Sequence, residues 1–255
     1  MSLADGTTAV VGEPILEVKG VSVNFGGVAA LTAVSLDVRP GEVTGLIGPN
    51  GAGKTTLFNV ISGLQRPNRG EVRLSGRDVT KLGPHRRARL GLARTFQRLE
   101  LFGSLSARDN VQVGLDASRT KGDLTAQGLL HRVGVIADVD RQVSTLPTGE
   151  ARLVELARAL AIDPTLVLLD EPCSGLDENE TEMLGGLLRE LANENRAVLI
   201  VEHDMDLVLS VCDRIFVLDF GEIIASGSRE DVRHDPRVQA AYLGAVPEIG
   251  EGESS

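Results

Sequence analysis

Tryptophan is absent from this chain of 255 residues, and tyrosine occurs once. Cysteine occurs only as Cys173 and Cys212, in segments of unlike character, which predicts reduced thiols rather than a disulfide or a metal pair. No apolar run approaches the roughly 20 residues that cross a bilayer. Residues 1–14 lack the basic cluster and apolar core of a secretory signal. We therefore expect a cytoplasmic protein with loose tails at 1–14 and 246–255.

Positive charge is also scarce, because 26 lysines and arginines face 36 acids and leave a net charge of −10. This balance argues against general nucleic-acid binding, which needs a cationic surface. The stretch from Arg66 to Arg98 departs from it, with Glu71 and Asp78 as its acids. It indicates either a solvated basic face or a patch for anionic lipid or an acidic partner. Its basic residues are Arg66, Arg69, Arg73, Arg77, Lys81, Arg86, Arg87, Arg89, Arg94 and Arg98.

A glycine-rich segment, Gly48 to Thr55, fits the phosphate-loop pattern G-x-x-x-x-G-K-[ST]. It lies between an apolar run, Val43–Ile47, and a helix-like segment, Thr55–Ser62. Glycines let the backbone wrap closely around an anion, which then faces the loop N–H groups and the helix N-terminus. The alternative is a glycine-rich turn that matches by accident, and the flanking strand and helix disfavour it. The predicted phosphate-binding residues are Asn50, Gly51, Ala52, Gly53, Lys54, Thr55 and Thr56.

Three side chains of this loop have separate predicted roles. Lys54 would reach the β- and γ-phosphates of a nucleotide, and the Thr55 hydroxyl would hold Mg²⁺. Thr56 could add a hydroxyl contact to the α-phosphate. The loop therefore predicts a nucleotide and Mg²⁺ as cofactors.

Two acids follow a second apolar run, Leu166–Leu169. A continuous run of this length favours a central parallel strand that is buried on both faces. At its carboxyl end, Asp170 is placed to hold Mg²⁺, directly or through water. Glu171 can face an attacking water as a general base. The alternative is an acid pair that only caps the end of the strand.

The other patterns predict an α/β fold with two additions. Strands at Ile15–Val23, Val34–Val38 and Glu71–Leu74 make the opening strand-rich and antiparallel, apart from the phosphate-loop strand. Between Gln97 and Ala161 the pattern is helical, which indicates an inserted helical lobe at about 98–162. Further predicted elements are a strand at Leu92–Phe96, helices at Ser106–Leu115, Leu124–Val133, Gly149–Ala161 and Asn179–Asn193, a strand at Ala197–Val201 and a hairpin around Asp219-Phe220-Gly221.

Two single residues are also candidates. Phe25, upstream of the phosphate loop, could stack on an adenine ring or could be a core residue. His203 follows the predicted strand Ala197–Val201. Ligand-binding residues collect at the carboxyl ends of parallel strands, although a lone histidine is more often structural.

These motifs together resemble the ATP-binding subunit of an ABC transporter, over about Ile15 to Gly244. The motifs that carry the resemblance are Walker A at Gly48–Thr55, the Q-loop Thr95-Phe96-Gln97, Walker B at Leu166–Asp170 followed by Glu171, the D-loop Ser174-Gly175-Leu176-Asp177 and the switch histidine His203. The resemblance implies one ABC ATPase domain at 15–245: a P-loop NTPase core with a mixed sheet, an N-terminal antiparallel β subdomain and an inserted α-helical subdomain.

The resemblance also implies a mechanism. Two ATPase subunits, as a homo- or heterodimer, would hold two ATP molecules between them. Glu171 would activate water, while Gln97 and His203 would sense the γ-phosphate and Mg²⁺, with Gln97 also a magnesium ligand. Asp177 would connect the two sites. Membrane permease subunits would grip the helical lobe at the inner face of the membrane.

Within that family the chain is similar to the branched-chain amino-acid importer ATPases, which implies a solute-binding protein as a further partner. The residues that carry this likeness are Phe25-Gly26-Gly27, Ala93-Arg94-Thr95-Phe96-Gln97, Glu202-His203-Asp204-Met205 and Ala241-Tyr242-Leu243-Gly244. The lipopolysaccharide-exporter ATPase shares several of them, so export of lipid stays open. A soluble ABC protein without transport and a regulatory subunit that binds ATP without cleaving it are further alternatives.

One motif departs from the family. The norm Leu-Ser-Gly-Gly-Gln is replaced by Leu146-Pro147-Thr148-Gly149-Glu150, and Pro147 lacks the hydroxyl and N–H that the usual serine offers a γ-phosphate. Glu150 facing that phosphate at ~5 Å would cost about 3 kcal/mol at an effective dielectric of ~20. We expect Glu150 to turn away and the helix N-terminus around Gly149 to contact the nucleotide across the dimer.

Overall fold

The computed structural model describes residues 13–118, 123–203 and 205–243. Apart from residues 13 and 14, the two predicted tails lie outside this range, as does Asp204. The strands are β1 (Leu16–Phe25), β2 (Val28–Val38), β3 (Val43–Ile47), β4 (Arg69–Leu74), β5 (Arg77–Asp78), β6 (Leu92–Arg94), β7 (Leu166–Asp170), β8 (Ala197–Val201), β9 (Arg214–Asp219) and β10 (Glu222–Gly227). The helices are α1 (Lys54–Ser62), α2 (Pro84–Ala88), α3 (Ala107–Ala117), α4 (Ala126–Arg132), α5 (Thr148–Leu160), α6 (Glu178–Asn193), α7 (Met205–Val211), α8 (Arg229–His234) and α9 (Pro236–Leu243).

The strands form two sheets. One is antiparallel in the order β2-β1-β4-β5, as the opening of the sequence predicts. The other has the order β10-β9-β3-β8-β7-β6, in which β10 is antiparallel and the remaining pairs are parallel. The fold is therefore the α/β fold with a mixed sheet and an antiparallel subdomain that the sequence predicts.

The central strands are buried on both faces because two apolar cores cover the mixed sheet. Along β7, Leu166 and Leu168 belong to the core shared with α1 and the antiparallel sheet. Val167 and Leu169 belong to the core shared with the helical segment and α6. Alternate residues of a strand point to opposite faces, so a continuous apolar run fits a strand covered on both sides. The phosphate-loop strand β3 lies between β8 and β9 in the same sheet.

Along the chain, helices α3, α4 and α5 follow β6 and precede β7, and these two strands are paired in the mixed sheet. Ser106 is the N-cap of α3, since its Oγ accepts a hydrogen bond from the Asp109 N–H. We keep 98–162 as the proposed extent of this inserted lobe. None of the described helices is both long and apolar enough to cross a membrane.

The sequence did not predict the short helix α2, although Pro84 stands at its N-terminus, where proline is favoured. This helix carries Arg87, whose side chain is fully buried. The interpretation of the stretch 66–98 as one basic surface is therefore wrong for Arg87, and also for Arg94, whose side chain is 6% exposed. The exposed basic residues of that stretch are Arg66, Arg69, Arg77, Lys81, Arg86, Arg89 and Arg98.

Arg87 donates hydrogen bonds to main-chain carbonyls at the C-terminal end of α1, the helix that follows the phosphate loop. Its Nη1 donates to the carbonyls of Val60 (2.7 Å) and Ile61 (2.6 Å), in the last turn of α1. Its Nε and Nη2 donate to the carbonyls of Leu82 and Thr80. Burial lowers the pKa of Arg87 to about 10, so the group stays charged at neutral pH. A cation at a helix C-terminus meets the negative end of the helix dipole.

We predict that Arg87→Met lowers the free energy of unfolding by about 3 kcal/mol, because four carbonyls, those of Val60 and Ile61 in buried hydrogen bonds, lose their charged donor. Chemical denaturation followed by circular dichroism measures this change. Arg89→Met is the matched control, since Arg89 is exposed two residues further on. Equal stability of the two variants would contradict the role given to Arg87.

Candidate nucleotide site

A cavity of about 250 Å³ brings the predicted phosphate-loop residues together with two of the predicted catalytic residues, Gln97 and Glu171. Volume alone does not identify it, since the groove between α6 and α7 measures about 790 Å³. The sequence did not predict Ala30 and Val201, which also line the cavity. Its lining is Ala30, Asn50, Gly51, Ala52, Gly53, Lys54, Thr55, Thr56, Gln97, Glu171 and Val201.

Glycine is required by the tight turn between β3 and α1. Gly53 has φ +108°, and a Cβ there would lie 2.7 Å from the Ala30 carbonyl oxygen. Gly48 has φ +153°, and its Cβ would lie 2.0 Å from the Leu218 carbonyl oxygen. Gly53 is also the N-cap of α1 and provides no side-chain cap. The first N–H groups of the helix are therefore left for an anion.

Lys54 folds over its own loop. Its Nζ donates to the carbonyls of Gly48 (2.5 Å) and Pro49 (2.9 Å). Burial lowers the pKa of Lys54, while the negative charges of Glu171 and Asp170 act in the opposite direction. The ammonium thus lies inside the loop that would hold the phosphates, close to both acids.

Glu171 is held in an unusual conformation. Its φ is +49°, a left-handed value that costs a residue other than glycine about 1–3 kcal/mol. Its N–H donates to the Val201 carbonyl (2.9 Å), and Gln97 Nε2 donates to Glu171 Oε2 (3.2 Å). Such strain at a cavity wall is typical of a functional residue.

Asp170 is buried at the end of β7. Its Oδ2 accepts a hydrogen bond from Arg94 Nη2 at 3.1 Å, an ion pair in which the side chains are 4% and 6% exposed. Burial raises the pKa of Asp170, against the opposing effect of Arg94. Asp170 and Glu171 therefore both bond to side chains in the segment around β6. An acid pair that only capped the end of β7 would not require these partners. The sequence named Arg94 only within the family likeness and gave it no role.

Phe25, His203 and Gly149, like Asp170, do not line the cavity. Phe25 is half exposed at the turn between β1 and β2, so it is not a core residue. His203 is 71% exposed, with its Nδ1 3.7 Å from Oε2 of the buried Glu202. Gly149 is buried in the first turn of α5, where a Cβ would lie 2.6 Å from the Gly175 carbonyl oxygen.

The N-terminus of α5 meets the segments of two other motifs. Arg152 Nε donates to the Ser174 carbonyl (2.7 Å), and its Nη2 donates to the Gln97 carbonyl (3.0 Å). No sequence motif predicted this role for Arg152. The N-cap of α5, Pro147, makes no side-chain cap, and Thr148 beside it is exposed. Asp177 instead forms a capping box with Glu180 at the start of α6.

The donor atoms fit Mg²⁺. Thr55 and Gln97 line the cavity and offer a hydroxyl and an amide oxygen, whereas Asp170 is not part of the lining and its carboxylate lies buried at the end of β7, one residue before the lining residue Glu171. Magnesium prefers oxygen ligands and is usually held by one or two carboxylates together with substrate phosphates. Among the described residues no cluster of three or more histidines, cysteines or acids could hold a metal alone.

A strand, a glycine loop and a helix, with an acid pair at the end of a strand in the same sheet, define a P-loop nucleotide-binding protein. The comparison with known families narrows this class. The profile described as ABC transporter matches residues 31–174, and a second profile, branched-chain amino acid ATP-binding cassette transporter, matches residues 222–247. The chain belongs to the ABC transporter family.

Individual relatives agree with this assignment. The high-affinity branched-chain amino acid transport ATP-binding protein LivG of Salmonella typhimurium is 38% identical over 251 residues, which cover 91% of this chain and 98% of the relative. The ADP conformation of an ATP-binding cassette of an ABC transporter superposes with a TM-score of 0.81 at 30% identity, covering 91% of this chain and 100% of the other. A dimeric cassette bound to ADP and phosphate has a TM-score of 0.76 at 26% identity, covering 84% and 98%. The chain is an ATP-binding subunit of an ABC transporter, and members of its family are ATPases.

We predict that Gly53→Ala weakens ATP binding at least about 10-fold, or roughly 1.4 kcal/mol, because the new methyl group clashes with the Ala30 carbonyl. Titration with a fluorescent ATP analogue measures this loss. Gly186→Ala is the control, since a Cβ at Gly186 meets nothing within 4 Å and lies on α6. Equal affinities of the two variants would show that the loop tolerates the methyl group.

Proposed function

We propose that this ATPase subunit drives import of branched-chain amino acids or a related small solute. The observation that carries the proposal is the match of residues 222–247 to the branched-chain transporter profile, in a chain whose phosphate loop lines a cavity together with Gln97 and Glu171. The relative LivG, alike over nearly its whole length, supports the same assignment.

The proposed chemistry is hydrolysis of ATP. Phosphates would lie on the N–H groups of the loop and the start of α1, with Lys54 turning from its loop carbonyls toward the β- and γ-phosphates. Thr56 would contact the α-phosphate, and Phe25 would stack on the adenine. Glu171 would orient or deprotonate the attacking water, and Gln97, already bonded to it, would sense the γ-phosphate. Mg²⁺, held by Thr55, Gln97 and Asp170, would neutralise phosphate charge when bound.

A second subunit would complete the site, as a homo- or heterodimer. The N-terminus of α5 is absent from the cavity lining of its own chain, and its Thr148 is exposed. It would therefore face the nucleotide of the partner, with the N–H groups around Gly149 toward the γ-phosphate and Glu150 turned away. His203, exposed beyond β8, would sense the γ-phosphate and Mg²⁺ together with Gln97. The dimeric solved relative supports this arrangement.

Transport requires further partners. Membrane permease subunits would grip the inserted helical lobe and convert closing and opening of the dimer into alternating access. The subunit would then lie at the cytoplasmic face of the membrane without entering it. Import would add a solute-binding protein. Lipid or lipopolysaccharide export stays the alternative within the family.

We predict that Glu171→Gln lowers ATP turnover about 100- to 10,000-fold while ATP still binds, because a positioned base is lost. Phosphate release measures turnover, and nucleotide titration measures binding. Glu182→Gln, an exposed change on α6, should retain turnover. Normal hydrolysis by Glu171→Gln would defeat the assignment of the base, and no hydrolysis by the unmodified chain would favour a regulatory subunit.

We also predict that the subunit, reconstituted in proteoliposomes with its permease subunits and a solute-binding protein, takes up radiolabelled leucine, isoleucine or valine when ATP is supplied. The same preparation carrying Glu171→Gln should show background uptake only. Uptake of another amino acid would change the proposed solute. ATP-dependent extraction of lipopolysaccharide in place of uptake would establish export.

A further inference from the structure

We propose that Arg94 is a positioning residue for magnesium: it fixes the Asp170 carboxylate and joins the strand before the Q-loop to the phosphate-loop helix. The inference rests on the proposed magnesium role of Asp170. The juxtaposition spans the chain, since Arg94 lies in β6, Asp170 ends β7, and Asn59 and Ser62 lie on α1.

Four contacts other than the ion pair with Asp170 also hold the Arg94 side chain in place. Its Nη1 donates to Asn59 Oδ1 and to Ser62 Oγ, each at 2.8 Å. Its guanidinium carbon lies 4.9 Å from the ring centre of Phe96 and 5.6 Å from that of Phe58. Two hydrogen bonds and two aromatic rings therefore set the place of the guanidinium, and the carboxylate must adapt to it.

The bond to Asp170 orients one carboxylate oxygen. Arg94 Nη2 binds Oδ2, so the carboxylate has Oδ1 as a second acceptor for a metal ion or its water. The Asp170 N–H also lies 3.4 Å from Thr95 Oγ1, the residue that follows Arg94. Groups that bond to a metal ligand and fix its direction typically account for about 10- to 100-fold in metal affinity.

Stability alone does not explain this arrangement. A buried ion pair often adds little to folding, because desolvation offsets the attraction. The chain contains a direct comparison in Arg87, which is also buried and also bonds to the last turn of α1. Arg87 bonds to main-chain carbonyls, whereas Arg94 bonds to the predicted magnesium ligand and stands three residues before Gln97. A shift of the segment from Arg94 to Gln97 would therefore act on Asp170 through Arg94.

The test separates metal binding from nucleotide binding. Mn²⁺, which replaces Mg²⁺ at oxygen sites and is visible by electron paramagnetic resonance, is titrated into the ADP-bound chain, and ATP affinity is measured separately in EDTA. Arg94→Met should weaken Mn²⁺ binding about 10- to 100-fold, while metal-free ATP binding changes less than about threefold. Arg94→Lys should weaken Mn²⁺ binding as well, because one ammonium cannot reproduce the fork that spans Asn59, Ser62 and Asp170.

Arg87→Met is the matched control and should lower stability without a selective loss of Mn²⁺. Unchanged Mn²⁺ binding in Arg94→Met would overturn the proposal, because the arginine would then not position Asp170, and tighter binding would overturn it because the arginine would then repel the metal. Wild-type behaviour of Arg94→Lys would overturn it too, since charge alone would suffice. If Arg94→Met does not fold, Arg94→Lys decides the question. Failure of the unmodified chain to bind Mn²⁺ with ADP would instead count against the proposed function.

Discussion

The close approach of the phosphate loop to the strands and turns around it is the constraint on which the site depends. Gly48 lies against the Leu218 carbonyl at the end of β9, and Gly53 lies against the Ala30 carbonyl in β2. The loop can reach these neighbours only without side chains of its own at those positions. This contact joins the mixed sheet to the antiparallel sheet and leaves the start of α1 uncapped and facing the cavity.

Three cations, of which Arg87 and Arg94 have buried side chains, contact the helix that starts at this loop. Arg87 binds carbonyls of its last turn, Arg94 binds Asn59 and Ser62 beside that turn, and Lys54 folds back over the loop at its first residue. Asp170 is the acid that pairs with Arg94 from the neighbouring strand. The helix is thus fixed at its C-terminal end while its N-terminal end is left for an anion, which suits a site that binds and releases phosphate.

The inserted helical lobe connects to the same site through main-chain carbonyls. Arg152 on α5 reaches the carbonyls of Gln97 and Ser174, in the segments of the Q-loop and the D-loop. A shift of α5 would therefore act on Gln97, whose amide contacts Glu171. This chain of contacts connects the lobe, which a permease would grip in the proposed transport cycle, to the carboxylate that we propose as the catalytic base.

The sequence by itself determined the phosphate loop, the strands Val43–Ile47 and Ala197–Val201 to the residue, and the acids at the end of β7, because local periodicity and glycine placement decide these features. It also gave the family. Only the tertiary structure decided that the side chains of Arg87 and Arg94 are buried rather than part of the basic surface. It alone also decided that Arg152 donates a hydrogen bond to the Gln97 carbonyl. Arg94 and Asp170 are 76 positions apart in the chain. A pattern of apolar residues states which face of a strand is buried but not which distant side chain shares that interior, so these contacts follow from packing alone.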